Sequence, residues 1–208
     1  MSHWESLAAA MQKPFPVLTS LRFGVHSYYT VTSLPDSFLG GYSPLLRRLW
    51  LESCTLPGIP KLLLSTNHLV NLALWDIPDS GYISPQDLGT ALSVMSRLEI
   101  LRLEFRSRLY PASRPPPPLT RSVLPALTLL KFKGVHECLE DLLAQIEVPF
   151  LNKLQIKFFM DPEFVLPQLH RLVGHAKSFK TCDRATVRTV RNGIHFSIFG
   201  GKRRFLSW

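Results

Sequence analysis

What this chain lacks narrows it before any motif is considered. Its three cysteines (Cys54, Cys138 and Cys182) are odd in number and widely spaced, which gives no disulfide framework and no zinc-ligand spacing. Reduced thiols and an intracellular setting, cytoplasmic or nuclear, are expected. No apolar run approaches the ~20 residues of a membrane span, so no membrane partner is expected. The opening MSHWESLAAAMQKPF has no basic segment followed by an apolar core, so no signal peptide is expected. The catalytic signatures G-x-S-x-G, Walker loop and dinucleotide fingerprint are missing. Histidines stand at 3, 26, 68, 136, 170, 175 and 195, scattered along the chain. His136, Glu137 and Cys138 fall on different faces of a helix, and no H-E-x-x-H pattern occurs. Each histidine reads as a chance occurrence. No catalytic residue, metal or cofactor is expected, and the chain does not read as an enzyme.

Acidic residues are also scarce, but only in one place. Residues 1–170 carry 15 Lys/Arg and 14 Asp/Glu, whereas residues 171–208 carry 9 Lys/Arg and one acid, Asp183. The net charge of +9 is therefore a property of the C-terminal segment rather than of the whole chain. A hydrophobic content of 46% and a charged content of 19% describe a globular chain rather than a disordered one. A chain of this size buries roughly 70% of its unfolded surface. Its 17 prolines point to many short connections.

What is abundant is leucine at fixed spacing. Residues 46–56, LRRLWLESCTL, read Leu46, Leu49, Leu51, Cys54, Leu56, which fits the template L-x-x-L-x-L-x-x-N/C-x-L without a mismatch. Two leucines two apart on a strand point to one face. The cassette recurs as Leu18/Leu21/Phe23, Leu69/Leu72/Leu74, Leu98/Leu101/Leu103, Leu127/Leu130/Phe132 and Leu151/Leu154/Ile156. First members are 28, 23, 29, 29 and 24 residues apart, inside the range for this repeat. The expected fold is α/β: an irregular leucine-rich-repeat solenoid with a parallel sheet on its concave face and short helices and loops outside.

Between the cassettes the chain supplies turns and helices. Residues 1–14 hold a short helix (Trp4 to Gln12) ended by Pro14, a possible cap. Residues 15–182 form the solenoid, with about six to seven repeats. Helices are expected over 59–66, from the Ser84–Pro85 N-cap onward, over 136–147 and over 167–174. Residues 107–122, with Pro115 to Pro118, read as an extended insertion, or less plausibly as a proline-rich ligand for an aromatic groove. Residues 183–208 comprise a β-hairpin, Thr186–Arg191 and Ile194–Phe199 around Asn192-Gly193, and a basic tail.

Residues flanking the buried leucines should line the concave face in three rows. The central row is Arg22, Trp50, Ala73, Arg102, Lys131 and Gln155. One neighbour is Ser20, Arg48, Asn71, Ile100, Leu129 and Lys153; the other is Gly24, Glu52, Trp75, Glu104, Lys133 and Lys157. Tryptophan and arginine dominate interface energetics. The expected partner-binding set is Arg22, Arg48, Trp50, Trp75, Arg102, Lys131, Lys133, Lys153 and Lys157. The lysines would form a basic flank suited to an acidic partner.

Five segments carry a resemblance beyond the repeat itself: LPDSFLGG (34–41), GIPKLLLST (58–66), HLVNLALWDIPDSGYISPQ (68–86), RPPPPLTRSVLPALT (114–128) and FKGVHECLEDLLAQI (132–146). In these the chain resembles the repeat region of fungal F-box/leucine-rich-repeat proteins. The resemblance implies a non-catalytic substrate-recognition module of a cullin–RING ubiquitin ligase, whose repeats hold a protein target. An F-box would dock on a Skp-type adaptor, but none precedes the repeats in this chain, so that partner is expected only if a longer product carries one.

Two other readings compete. One is a truncated, functionless gene fragment, because solenoids want capped ends and neither end here is a clear cap. The other is binding of nucleic acid or another polyanion through Arg184, Arg188, Arg191, Lys202, Arg203 and Arg204, although no nucleic-acid motif accompanies them. A salt titration separates the classes: retention on nucleic acid that collapses as salt rises supports polyanion binding, and no retention at low salt removes it.

Overall fold

The computed structural model describes residues 6, 10–24, 32–55, 59–106, 121–159, 165–190 and 193–200. Most of the expected N-terminal helix, Leu56, the proline run and the tail from residue 201 onward lie outside the described residues. The chain is a mixed α/β structure built on one eight-stranded sheet. Six strands run parallel: β1 (Ser20–Gly24), β3 (Arg48–Glu52), β5 (Asn71–Ile77), β6 (Ile100–Phe105), β8 (Leu129–Gly134) and β10 (Lys153–Phe159). Pairs of short strands, β2 (Thr32–Ser33) with β4 (Cys54–Thr55) and β7 (Ser122–Val123) with β9 (Ile146–Glu147), form two further parallel ladders.

The leucine cassettes set the register. Leu21, Leu49, Leu72, Leu101, Leu130 and Leu154 pair in one continuous row, and Phe23, Leu51, Leu74, Leu103, Phe132 and Ile156 in a second. All but Leu21 are buried. Burying one such side chain is worth about 1.5–3 kcal/mol, so a one-residue slip, which would turn the whole set to water, is strongly disfavoured.

Each strand is entered through the same turn. The amide of the first leucine in each cassette donates to the carbonyl three residues earlier: Leu18 to Phe15, Leu46 to Ser43, Leu69 to Thr66, Leu98 to Met95, Leu127 to Leu124 and Leu151 to Val148. The next two amides then share one carbonyl of the preceding unit. Arg47 and Arg48 both donate to Thr19, Val70 and Asn71 to Arg47, Glu99 and Ile100 to Val70, Thr128 and Leu129 to Glu99, and Asn152 and Lys153 to Thr128. Unequal connections, 23 to 29 residues long by the spacing of their first leucines, thus converge on one strand geometry.

Among the described residues, four helices cover the face that the leucines occupy: α1 (Ile59–Leu64), α2 (Pro85–Ser93), α3 (His136–Gln145) and α4 (Pro167–His175), with consecutive helices in contact. One apolar core holds the strand leucines together with Leu88, Leu92, Leu139, Leu142 and Leu172. Ser84 caps α2, as its sequence suggests, its Oγ accepting the Asp87 amide at 3.1 Å. Pro85 follows at the first helical position, where its missing N–H costs nothing. The expected helix over 136–147 stops at Gln145, because Ile146 and Glu147 are drawn into the bridge with β7.

The hairpin strands are β11 (Cys182–Val190) and β12 (Gly193–Gly200), longer than the sequence suggested. β12 pairs antiparallel with β10, continuing the sheet, and β11 forms its edge. Gly193 is required at the turn, because a Cβ there would meet the Phe158 carbonyl. Ile198 and Phe196 extend the two apolar rows by one strand.

Helix α4 has no cap of its own; α3 supplies it. The Glu140 side chain, only 6% exposed, accepts the Gln168 amide at 2.7 Å and the Leu169 amide at 2.9 Å. A carboxylate there satisfies two orphan donors and complements the positive end of the helix dipole. Glu140→Ala should cost about 1–3 kcal/mol in urea unfolding, with Glu140→Gln, which keeps an acceptor, losing less.

Candidate partner-binding face of the sheet

With the leucines on the helix side, the intervening residues occupy the opposite, open face. The three rows expected from the sequence align in register there. Arg22, Trp50, Ala73, Arg102, Lys131, Gln155 and Ser197 are successive partners, as are Ser20, Arg48, Asn71, Ile100, Leu129, Lys153 and Phe199. In the third row Gly24, Glu52 and Trp75 pair on one side, and Glu104, Lys133, Lys157 and His195 on the other.

The break between those halves is a bulge. The register shifts between Leu74 and Ile77, where Asp76 takes a left-handed φ of 51°. The extra residue lets Trp75 stay on the open face while Ile77 returns to the core at 1% exposure. Three side chains hold the bulge. Arg106 Nη2 donates to Asp76 Oδ2 at 2.6 Å and to Ser53 Oγ at 3.3 Å, and Ser53 Oγ donates to the same carboxylate at 3.0 Å. The Ser53 amide donates to the Trp75 carbonyl at 3.0 Å, tying this cluster to the tryptophan's own backbone. Burial pushes the Asp76 carboxyl upward, but the hydrogen bonds from Arg106 and Ser53 and the nearby charges of Arg106 and Lys133 outweigh it and hold it below its ordinary 3.8.

At the centre of the face Trp50 and Trp75 stack, with ring centroids 5.6 Å apart and planes 19° from parallel. The Arg22 guanidinium lies 4.8 Å from the Trp50 ring centre and Lys131 Nζ 4.2 Å from that of Trp75. Strand order runs β1, β3, β5, β6, β8, so the two cations close the stack from opposite ends. Carboxylates stand beside both: Glu104, with a side chain 7% exposed, binds Lys131 at 2.6 Å, whereas Glu52 lies 3.9 Å from a largely exposed Arg22. The aromatic pair contributes about 0.5–1.5 kcal/mol, and each cation over a ring about 0.5–1 kcal/mol. Ala73, on the same face, is fully buried; its small side chain leaves room for larger neighbours to close over it.

The remaining expected residues divide. Arg48 is exposed beside the stack. Arg102 is half-buried, donating to Asn71 Oδ1 at 3.2 Å. Lys153 lies 5.2 Å from the Phe199 ring centre. Lys133 and Lys157, both half-buried, line a cleft of about 330 Å³ with Trp75, Glu104, Lys131 and His195.

Sequence reasoning treated the four lysines alike, but Lys131 is engaged by Glu104 and Trp75. Glu52 and Glu104 stood in the expected rows without an assigned role; their places diagonal to Arg22 and Lys131 on neighbouring strands were the available signal. His195 read as a chance histidine, because its place beside Lys157 depends on the antiparallel register of β12.

Burial raises the thiols of Cys54 and Cys138 to about 12, which keeps both protonated at neutral pH. Among the described residues no cluster of histidine, cysteine and carboxylate side chains could hold a metal ion, and no helix is long and apolar enough to cross a membrane. Comparison with family models, curated proteins and solved structures gave no match to this chain.

The Asp76 cluster makes a pH prediction. A carboxylate whose folded pKa is depressed stabilises the fold above its unfolded value and loses that contribution as pH falls through the folded one. Asp76→Asn should therefore lower stability at neutral pH and flatten its decline below about pH 4. Denaturant midpoints measured across that range check both.

Proposed function

We propose that this chain is a non-catalytic protein-binding module: a leucine-rich-repeat solenoid whose open sheet face receives a protein target. The reading is similar to that of the recognition repeats in F-box/leucine-rich-repeat proteins, which the sequence resembles. A Skp-type adaptor enters only if a longer product carries an F-box. The fold part is supported by six like entry turns, five of them with the shared carbonyl of the preceding unit, and by two apolar rows in continuous register.

The observation that carries the binding part is the half-exposed stack of Trp50 and Trp75 between Arg22 and Lys131. Trp50 and Trp75 are held by packing on one another and Lys131 by its ion pair with Glu104, so these side chains have less rotamer entropy to lose when a partner docks. Rigid aromatic and arginine anchors of this kind supply most of the energy at protein interfaces.

Nucleic-acid binding fits the face less well. Bases stack on open aromatic faces, whereas Trp50 and Trp75 cover one another and are flanked by cations.

The test is affinity capture from the source cell with the wild-type chain, Trp50→Ser/Trp75→Ser and Lys131→Glu/Lys157→Glu. Companions recovered with the wild type should be lost or strongly reduced with both variants. Equal recovery with folded variants contradicts the reading.

A further inference from the structure

The C-terminal half of the open face differs from the tryptophan centre in having cations that make no direct ion pair among the described residues. Lys133, Lys157, His195 and Arg188 are successive register partners on β8, β10, β12 and β11. Adjacent strands lie roughly 4.8 Å apart, so three fixed cations and one imidazole form a ladder across four strands. Glu104, which continues this row on β6, is bound to Lys131. Among the described residues no ion pair engages Lys133, Lys157 or Arg188. Arg184, exposed on β11, adds a further cation in register with Phe199, beside the Lys153–Phe199 contact. One end of the ladder opens into the cleft under Trp75; the other reaches the exposed edge of the sheet.

We infer that this ladder binds an acidic segment of a protein, its carboxylates lying along Lys133, Lys157, His195 and Arg188 and its leading side chain entering the cleft beside Trp75. The inference rests on the protein-binding reading of the face and names the chemistry of what that face accepts. Three features select the occupant. Glu104, held by Lys131, and Asp76, held by Arg106, are the carboxylates near Lys133, so the cations of the ladder outnumber the free anions around them, which favours a partner that brings several negative charges. The cleft is lined by Trp75, Phe132 and Ile156 as well as by the lysines, so it takes a side chain with some apolar length, as a glutamate has. The rings at its margin are already stacked, so a base finds no open platform.

The experiment measures binding of a fluorescently labelled peptide of eight glutamates to the full chain at low and at moderate salt. Lys133→Gln/Lys157→Gln should weaken binding about tenfold. Lys61→Gln/Lys180→Gln, which removes the same charge from exposed positions away from this face, should change it less than about twofold. If the first variant does not fold, Arg188→Gln at its exposed site serves in its place, with a loss of about threefold. Equal losses for the two double variants overturn the inference, since binding would then follow net charge alone. Tighter binding of a single-stranded oligonucleotide of equal charge also overturns it, in favour of a nucleic acid. Should the peptide bind independently of the ladder while cellular capture still requires Trp50 and Trp75, the inference falls and the protein-binding reading stands.

Discussion

Everything on the open face follows from one constraint: a parallel strand has period two, and its alternate residues are committed to the core. Leu49 and Leu51, Leu72 and Leu74, and their counterparts on the neighbouring parallel strands, Leu21 excepted, are essentially inaccessible. Because they pair row by row, the residues between them also pair row by row. The packing that stabilises the helix side thereby fixes which side chains are neighbours on the other. Trp50 pairs with Ala73 and Trp75 with Glu52, so the two tryptophans stand in adjacent rows on neighbouring strands and stack along the diagonal.

The constraint is broken once, and the break is informative. A strict alternation through β5 would place Asp76 inside and Ile77 outside. Instead Asp76 adopts a left-handed conformation, which aspartate tolerates better than a branched apolar residue, and Arg106 and Ser53 anchor it from the ends of two neighbouring strands. The phase then resets, and Ile77 pairs with Phe105 in the core. A polar cluster at the strand ends thus supports an aromatic pair in the middle of the sheet. The repeated entry turns give the same kind of support on the opposite side of the strands.

Much of this was legible in the sequence. Six cassettes at near-regular spacing specified the parallel register, and with it the three outward rows, in which Trp50 and Trp75 stand in different rows; their stacking was not read from the sequence. Ser84-Pro85 announced a helix start, and Asn192-Gly193 announced a hairpin. What escaped was whatever depends on side-chain reach or on register that no turn encodes. Lys131 crosses a strand to lie over Trp75, which no spacing rule reveals. His195 joins Lys133 and Lys157 only because β12 docks antiparallel on β10 with Gly193 against the Phe158 carbonyl. Glu140 looked like one more polar residue on an amphipathic helix, whereas it is buried and caps its neighbour.

The central claim is that the leucine register sets Trp50 and Trp75 face to face on the open side of the sheet. Stacked indoles couple excitonically, so far-ultraviolet circular dichroism reads that contact directly. The wild-type chain should show an exciton couplet that disappears equally in Trp50→Phe and in Trp75→Phe, with the thermal transition little changed. A couplet that survives either substitution, or one absent from the folded wild type, would contradict the account.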